Sequence, residues 1–281
     1  MKKAFIGFDV GGTNIAAGLV SKQGKILDLT SHPTQAKKGK QQIAKNTLKV
    51  LDELLSGDVE CLGLCLAWPG KSNVPLIGQE IKKIISKKYK YPVYLENDAN
   101  LFTLAEAFIG QGKNKRVVVG ITLGTGVGSG VVIDKQLYGT QGYNPEFGHI
   151  SINFDGPKCK CGNYGCFEEY AGSRSLKRLA KKYKLKENTG EELYNLAKQG
   201  NKQALKLWQE YGHHLGFALI GIVRAYNPDV IILGGQISKA FRFFSKSMNK
   251  TLKYKSSFKV PSVKVSKLKN AAIVAAAFVD K

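Results

Sequence analysis

"KKAFIGFDVGGTNIAAGLV", residues 2–20, and "RVVVGITLGTGVGSGVVID", residues 116–134, decide the fold between them. Each reads as an apolar run, a glycine turn and a second apolar run, which is the pattern of a β-hairpin. The same plan near the start of each half predicts a duplicated α/β architecture of two lobes with a cleft between them. Outward from the first hairpin, "SKQG" (21–24) marks a second turn, and a lysine-rich helix follows over roughly 37–55. Ile43, Leu48, Leu51 and Leu55 form its apolar side. "ECLGLCLAWPG" (60–70) reads as a buried strand stopped by Pro69-Gly70, and the even spacing of Cys61 and Cys65 predicts packing on one face. "YPVYLEND" (91–98) is a further strand that feeds the helix "ANLFTLAEAFIGQG" (99–112).

Beyond the second hairpin, a long helix over 201–226 leads through Asn227-Pro228 to the strand "DVIIL" (229–233) and the turn Gly234-Gly235. "NAAIVAAAFVDK" (270–281) reads as a small-residue helix. The stretch "QGKNK" (111–115) predicts the domain boundary. A smaller α/β domain is expected over 1–112, joined by a helix over 271–281, and a larger α/β domain over 113–270.

Composition narrows the classes of function. The chain of 281 residues is 43% hydrophobic, which fits a globular protein with ample core. Its basic start runs into an apolar stretch that ends at Asp9 without a cleavage-site pattern, so a strand is expected there and no signal peptide. No apolar run approaches the roughly 18 residues of a membrane span. A cytoplasmic chain keeps its thiols reduced, and clustered cysteines then point to metal. The net charge of +22 rests on 38 lysines spread over helix-like segments, and it predicts a solvated surface with weak attraction to anions. Aromatic residues do not interleave with these charges and no recognition helix is visible, so no specific nucleic-acid partner is expected.

Three motifs carry chemistry. "DVGGTN" (9–14) and "LGTGVGSG" (123–130) place backbone N–H groups and threonine hydroxyls where each turn could cradle a phosphate. Neither is followed by Lys-Ser/Thr, and each glycine turn leads into a strand, so neither is a Walker loop or a dinucleotide fingerprint. Asp9 at the entry of the first turn would suit a Mg²⁺ bound to those phosphates. "LENDAN" (95–100) sets Asn97 and Asp98 where a strand ends and a helix begins, as a helix cap or as a carboxylate that accepts a proton. In "EFGHISINFDGPKCKCGNYGCFEEY" (146–170), His149, Cys159, Cys161 and Cys166 supply the Cys₃His set of a closed, structural zinc site.

Taken in order, "DVGGTN", "WPG", "ENDAN", "LGTGVGSG", "EFGH", "CKCGNYGCFEE" and "NPDVIILGG" resemble the sugar kinases of the ROK family, within the actin-like ATPase and hexokinase superfamily. The resemblance runs from Asp9 to the segment 270–281. It implies a two-lobed, ribonuclease H-like actin ATPase fold and ATP-dependent phosphorylation of a hexose, glucose at O6 first. Kinases for fructose, mannose or an N-acetylated amino sugar are the alternative. A sugar-responsive regulator is more remote, because only eight residues precede Asp9.

The resemblance makes Asp98 the catalytic base and puts Gly70, Asn73, Asn97, Glu146, His149 and Glu168 on the sugar. Asp9, Gly11, Gly12, Thr13, Asn14, Gly124, Thr125 and Gly126 would hold the ATP phosphates, with Gly234 and Gly235 beside the adenosine. A homo-oligomer is expected too. The sequence departs from the family pattern at Asn144-Pro145, in the short segment after Gly70, and in "IVAAAF".

Overall fold

The structure, a computed structural model, describes residues 2–68, 76, 78–139, 145–254 and 259–281. Gly70, Asn73 and Asn144 lie outside the described residues. Residue contacts divide the chain into two units. The first comprises Met1–Asn114, Lys135–Asn144 and Lys267–Lys281; the second comprises Lys115–Asp134 and Pro145–Ser266.

In the first unit, β1 (Lys2–Val10) and β2 (Asn14–Val20) form the antiparallel hairpin read from the sequence. β3 (Ile26–Pro33) continues it antiparallel, while β4 (Val59–Ala67) and β5 (Val93–Glu96) add in parallel on the other side of β1. The sheet order is β3-β2-β1-β4-β5. Alternation along β1 sends Ala4, Ile6, Phe8 and Val10 to one face. There they pack with Ile43, Val50, Leu51 and Leu54 of α1 (Lys40–Leu55) and with Ile81 and Ile85 of α2 (Gly78–Lys88). The opposite face carries α9 (Ala271–Val274), which also meets α3 (Asp98–Phe108). At Gly7 the approach of α9 is so close that a Cβ would lie 2.1 Å from the Ile273 carbonyl oxygen. A two-residue strand, β8 (Gln136–Leu137), lies in the middle segment of this unit.

The second unit repeats the plan. β6 (Val117–Leu123) and β7 (Val127–Ile133) form an antiparallel hairpin, and β9 (Val230–Gly234) and β10 (Ser262–Val265) extend β6 in parallel. Its helices are α4 (Phe167–Ala171), α5 (Ser173–Lys182), α6 (Gly190–Lys198), α7 (Lys202–Tyr226) and α8 (Phe241–Tyr254). Thr189 and Glu192 close a capping box on α6, and Asn201 caps α7. Trp208, Tyr211 and Leu215 of α7 meet Phe244 and Met248 of α8 in the core. Among the described residues no helix is long and apolar enough to cross a membrane.

Three local expectations change and one strand is new. β3 has no counterpart among the expectations, because five of the eight residues of "ILDLTSHP" are exposed and its hydrogen bonds to β2 define it. The lysine-rich helix begins at Lys40, after a 3₁₀ turn over Ala36–Lys38. The small-residue helix is only α9 followed by a 3₁₀ turn over Ala275–Ala277. Cys61 and Cys65 do not share a face. A bulge between the pairs Ala4–Cys61 and Phe5–Gly63 shifts the alternation by one residue. Cys61 therefore packs with Leu64 and Leu66, and Cys65 points to the other side. Both thiols are buried, and burial pushes that of Cys61 up to about 11.

Candidate active site

In the first unit the chemistry gathers at the ends of β1 and β5. The Gly11 N–H donates to the Asn14 carbonyl at 2.8 Å and closes the first glycine turn. Thr34, fully buried, holds that turn from behind: its hydroxyl donates to the Gly11 carbonyl at 2.6 Å and its N–H to the Thr13 carbonyl at 2.7 Å. Gly12, Thr13 and Asn14 are left exposed. Thr34 lacks a motif of its own, and only its distant partners mark it.

Asn97 is the cap of α3. Its Oδ1 accepts from the N–H groups of Ala99 (2.8 Å) and Asn100 (3.3 Å), which leaves its amide nitrogen free of the capping role. Glu96 tightens the junction by accepting from the Asn97 N–H at 2.8 Å and the Asn100 side-chain amide at 2.9 Å. Asp98 is thereby the first helical residue and not the cap. One of its oxygens accepts from the Ala99 N–H at 2.8 Å. Asp98 and Asp9 both reach solvent, yet enough protein crowds each to desolvate its charge in part. That burial pushes both carboxyls above the ordinary aspartate value, and the charge of Asp98 raises Asp9 further. Two mutually repelling carboxylates, open to solvent beside a glycine turn, can accept a proton or help hold a cation.

In the second unit the glycine turn Gly124–Gly126 closes through the Gly124 N–H and the Gly126 carbonyl at 3.0 Å. Ser173 grips it, with its N–H on the Gly124 carbonyl (3.0 Å) and its hydroxyl on the Thr125 carbonyl (3.1 Å). Gly234 pairs with Thr122 across the parallel strands, so Gly234 and Gly235 stand beside this turn at the same end of the sheet. Gly235 has φ 80°, and a Cβ there would lie 2.2 Å from the Leu123 carbonyl oxygen. Glu168 of α4 abuts the turn too: its Oε2 accepts from the Val127 N–H at 3.1 Å, and a Cβ at 126 would lie 2.2 Å from that oxygen and displace it.

Glu146 is exposed and leads into a 3₁₀ turn over Phe147–His149. Buried Ser129 of β7 fixes that turn by donating to the Pro145 carbonyl and accepting from the Phe147 N–H at 3.0 Å. His149 then meets the cysteines. The donor atoms of His149, Cys159, Cys161 and Cys166 all lie within 4.8 Å of one another. Cys159 Sγ is 3.7 Å from His149 Nδ1, and Cys161 Sγ is 3.6 Å from Cys166 Sγ. A tetrahedron with bonds of about 2.0–2.3 Å has edges of about 3.3–3.8 Å, so the donor set and its spacing fit zinc. All five cysteines are free, and backbone bridges Ser151–Cys166 and Lys158–Tyr164 fold the loop around the cluster.

Paired glycine-turn hairpins, each extended by parallel strands, make this an α/β protein of the actin-like ATPase fold. The chain belongs to the ROK family, whose model matches residues 5–280. It is 33% identical over 271 residues to a glucokinase of Thermotoga maritima, covering 85% of this chain and 84% of that protein. It is 36% identical over 170 residues to the xylose repressor of Bacillus subtilis, covering 60% of this chain and 44% of the repressor. The structure matches a ROK family glucokinase from Streptomyces griseus, solved in complex with glucose and AMPPNP. That match has a TM-score of 0.79 at 29% identity and covers 98% of each chain.

Proposed function

We propose that the protein is an ATP-dependent hexose kinase that phosphorylates glucose at O6. The observation that carries this reading is Asp98, a solvent-open carboxylate that Asn97 frees from capping and that burial makes more basic. Asp98 accepts the proton of the attacking hydroxyl as the hydroxyl turns toward the γ-phosphoryl group. The exposed N–H groups and hydroxyls of the two glycine turns hold the phosphates, and Gly234-Gly235 flanks the adenosine. Asp9 is the residue that would hold Mg²⁺, directly or through water, and that ion would neutralise phosphate charge. Glu146, His149, Glu168 and the Asn97 amide bind sugar hydroxyls. His149 would bind zinc through Nδ1, which leaves Nε2 to the sugar. A zinc held by His149, Cys159, Cys161 and Cys166 would be structural, fixing the loop that presents these side chains. Glucokinase-named relatives with matching coverage support the choice of sugar.

The protein works in the cytoplasm, where ATP is found and free thiols persist, and as a homo-oligomer. A coupled ADP-release assay over glucose, fructose, mannose and N-acetylated amino sugars tests the reading. Glucose should give the highest kcat/KM. Faster turnover of another sugar would move the assignment within the class, and sugar binding without ADP release would favour a regulator, the class of the xylose repressor.

A further inference from the structure

We propose that Arg174 is a positioning residue that aims Glu168 at the sugar and ties this carboxylate to the second glycine turn. The inference rests on the kinase reading for the identity of the ligand, and on geometry for the rest. Arg174 Nη2 donates to Glu168 Oε1 at 3.0 Å and to Glu169 Oε1 as well. Glu169 is 2% exposed, and Arg178 holds it from the far side, with Nη1 on Oε2 at 3.0 Å and Nη2 on the Glu169 carbonyl.

A carboxylate buried that deeply needs charged partners, and here it has two arginines. The planar fork of Arg174 is thereby fixed from behind and presents one N–H in a set direction. Glu168 is fixed at both ends, by Arg174 on Oε1 and by the Val127 N–H on Oε2. An ionised carboxylate has about four acceptor sites, so each oxygen keeps a lone pair for a sugar hydroxyl. Val127 directly follows the turn Gly124–Gly126, and Ser173, the neighbour of Arg174, grips the Gly124 and Thr125 carbonyls. The corner between α4 and α5 thus sets the turn and Glu168 in one frame. A lone glutamate would have to be ordered by the sugar itself, at a cost in affinity.

Arg174→Gln removes the charged fork and leaves Glu168, the zinc ligands and the glycine turn unchanged. With glucose as probe, its KM and calorimetric Kd should rise roughly tenfold or more, while KM for ATP stays within about threefold of the parent. Arg174→Lys should recover part of the loss, because a point charge restores one bond but not the fork. Glucose affinity within threefold of the parent in Arg174→Gln overturns the proposal, and so does an equal loss for ATP at an unchanged Tm. Should Arg174→Gln fail to fold, Arg174→Lys alone decides: a rise in glucose Kd of threefold or more supports the role, and parental affinity overturns it. A parent that binds glucose without phosphorylating it refutes the kinase reading only, since the Kd comparison still reads Arg174. A parent that binds none of the panel sugars overturns both.

Discussion

Asn97 caps α3, the kinase reading gives its neighbour Asp98 a separate duty, and substitution tells the two apart. Asn97→Ala removes the side chain that caps α3 and should cost about 1 kcal/mol, read as a lower Tm. Asp98→Asn should leave the cap intact and lower kcat by at least about 10²-fold. Burial raises the Asp98 carboxyl above the ordinary value, so ionising it in the fold carries a cost that is present at neutral pH. That cost is relieved as pH falls through the folded-state value. The Asn variant should therefore match or exceed the parental Tm at neutral pH, with the advantage shrinking in acid. By the same shift, kcat of the parent should fall in acid with a midpoint above 3.8. Turnover within about threefold of the parent would remove Asp98 from the mechanism. The sequence left cap and base as alternatives at this junction, because both duties favour the same residue types. The hydrogen bonds of Asn97 assign it the cap, and the substitution of Asp98 tests the base. Thr34, Ser129 and Ser173 could not be found at all, since each supports a turn far away in the chain.

At the scale of elements, rarity made the Cys₃His loop legible. Three cysteines and a histidine within 18 residues stand out from any background, and folding brings all four together. Purified protein should contain about one zinc per chain by elemental analysis, and Cys159→Ser should lose it, because a closed site tolerates no missing ligand. Glucose affinity should then fall more than ATP affinity, since the loop carries Glu146, His149 and Glu168. Metal-free protein with full activity would contradict this. The glycine hairpins and α7 were legible for a different reason, namely that their hydrophobic periods are long and uninterrupted. β3 was not, since an edge strand needs apolar residues on only part of its length. The bulge after Cys61 was equally hidden, because one unpaired residue leaves no trace in composition and yet reverses the face of everything after it.

For the molecule as a whole, charge is the property that the proposed chemistry does not use. Residues 230–279 contain ten lysines and arginines and no acidic residue. On α8 the exposed cations Arg242, Lys246, Lys250 and Lys253 recur at helical spacing along one stripe. Such a stripe should attract any polyanion. Fluorescence anisotropy with two unrelated DNA duplexes should give equal, weak affinities that fall steeply with salt, and Lys246→Gln with Lys250→Gln should flatten the slope. A footprint on one sequence at physiological salt would refute this account. A different property of the whole chain follows from Gly7. Its neighbour Ile273 belongs to the segment Lys267–Lys281, which covers one face of the first unit's sheet. During synthesis that cover arrives only after about 150 further residues have left the ribosome, a delay of roughly 8–30 s at usual elongation rates. Until then the nascent first unit leaves that sheet face uncovered, so the unit cannot finish folding before the end of the chain is made.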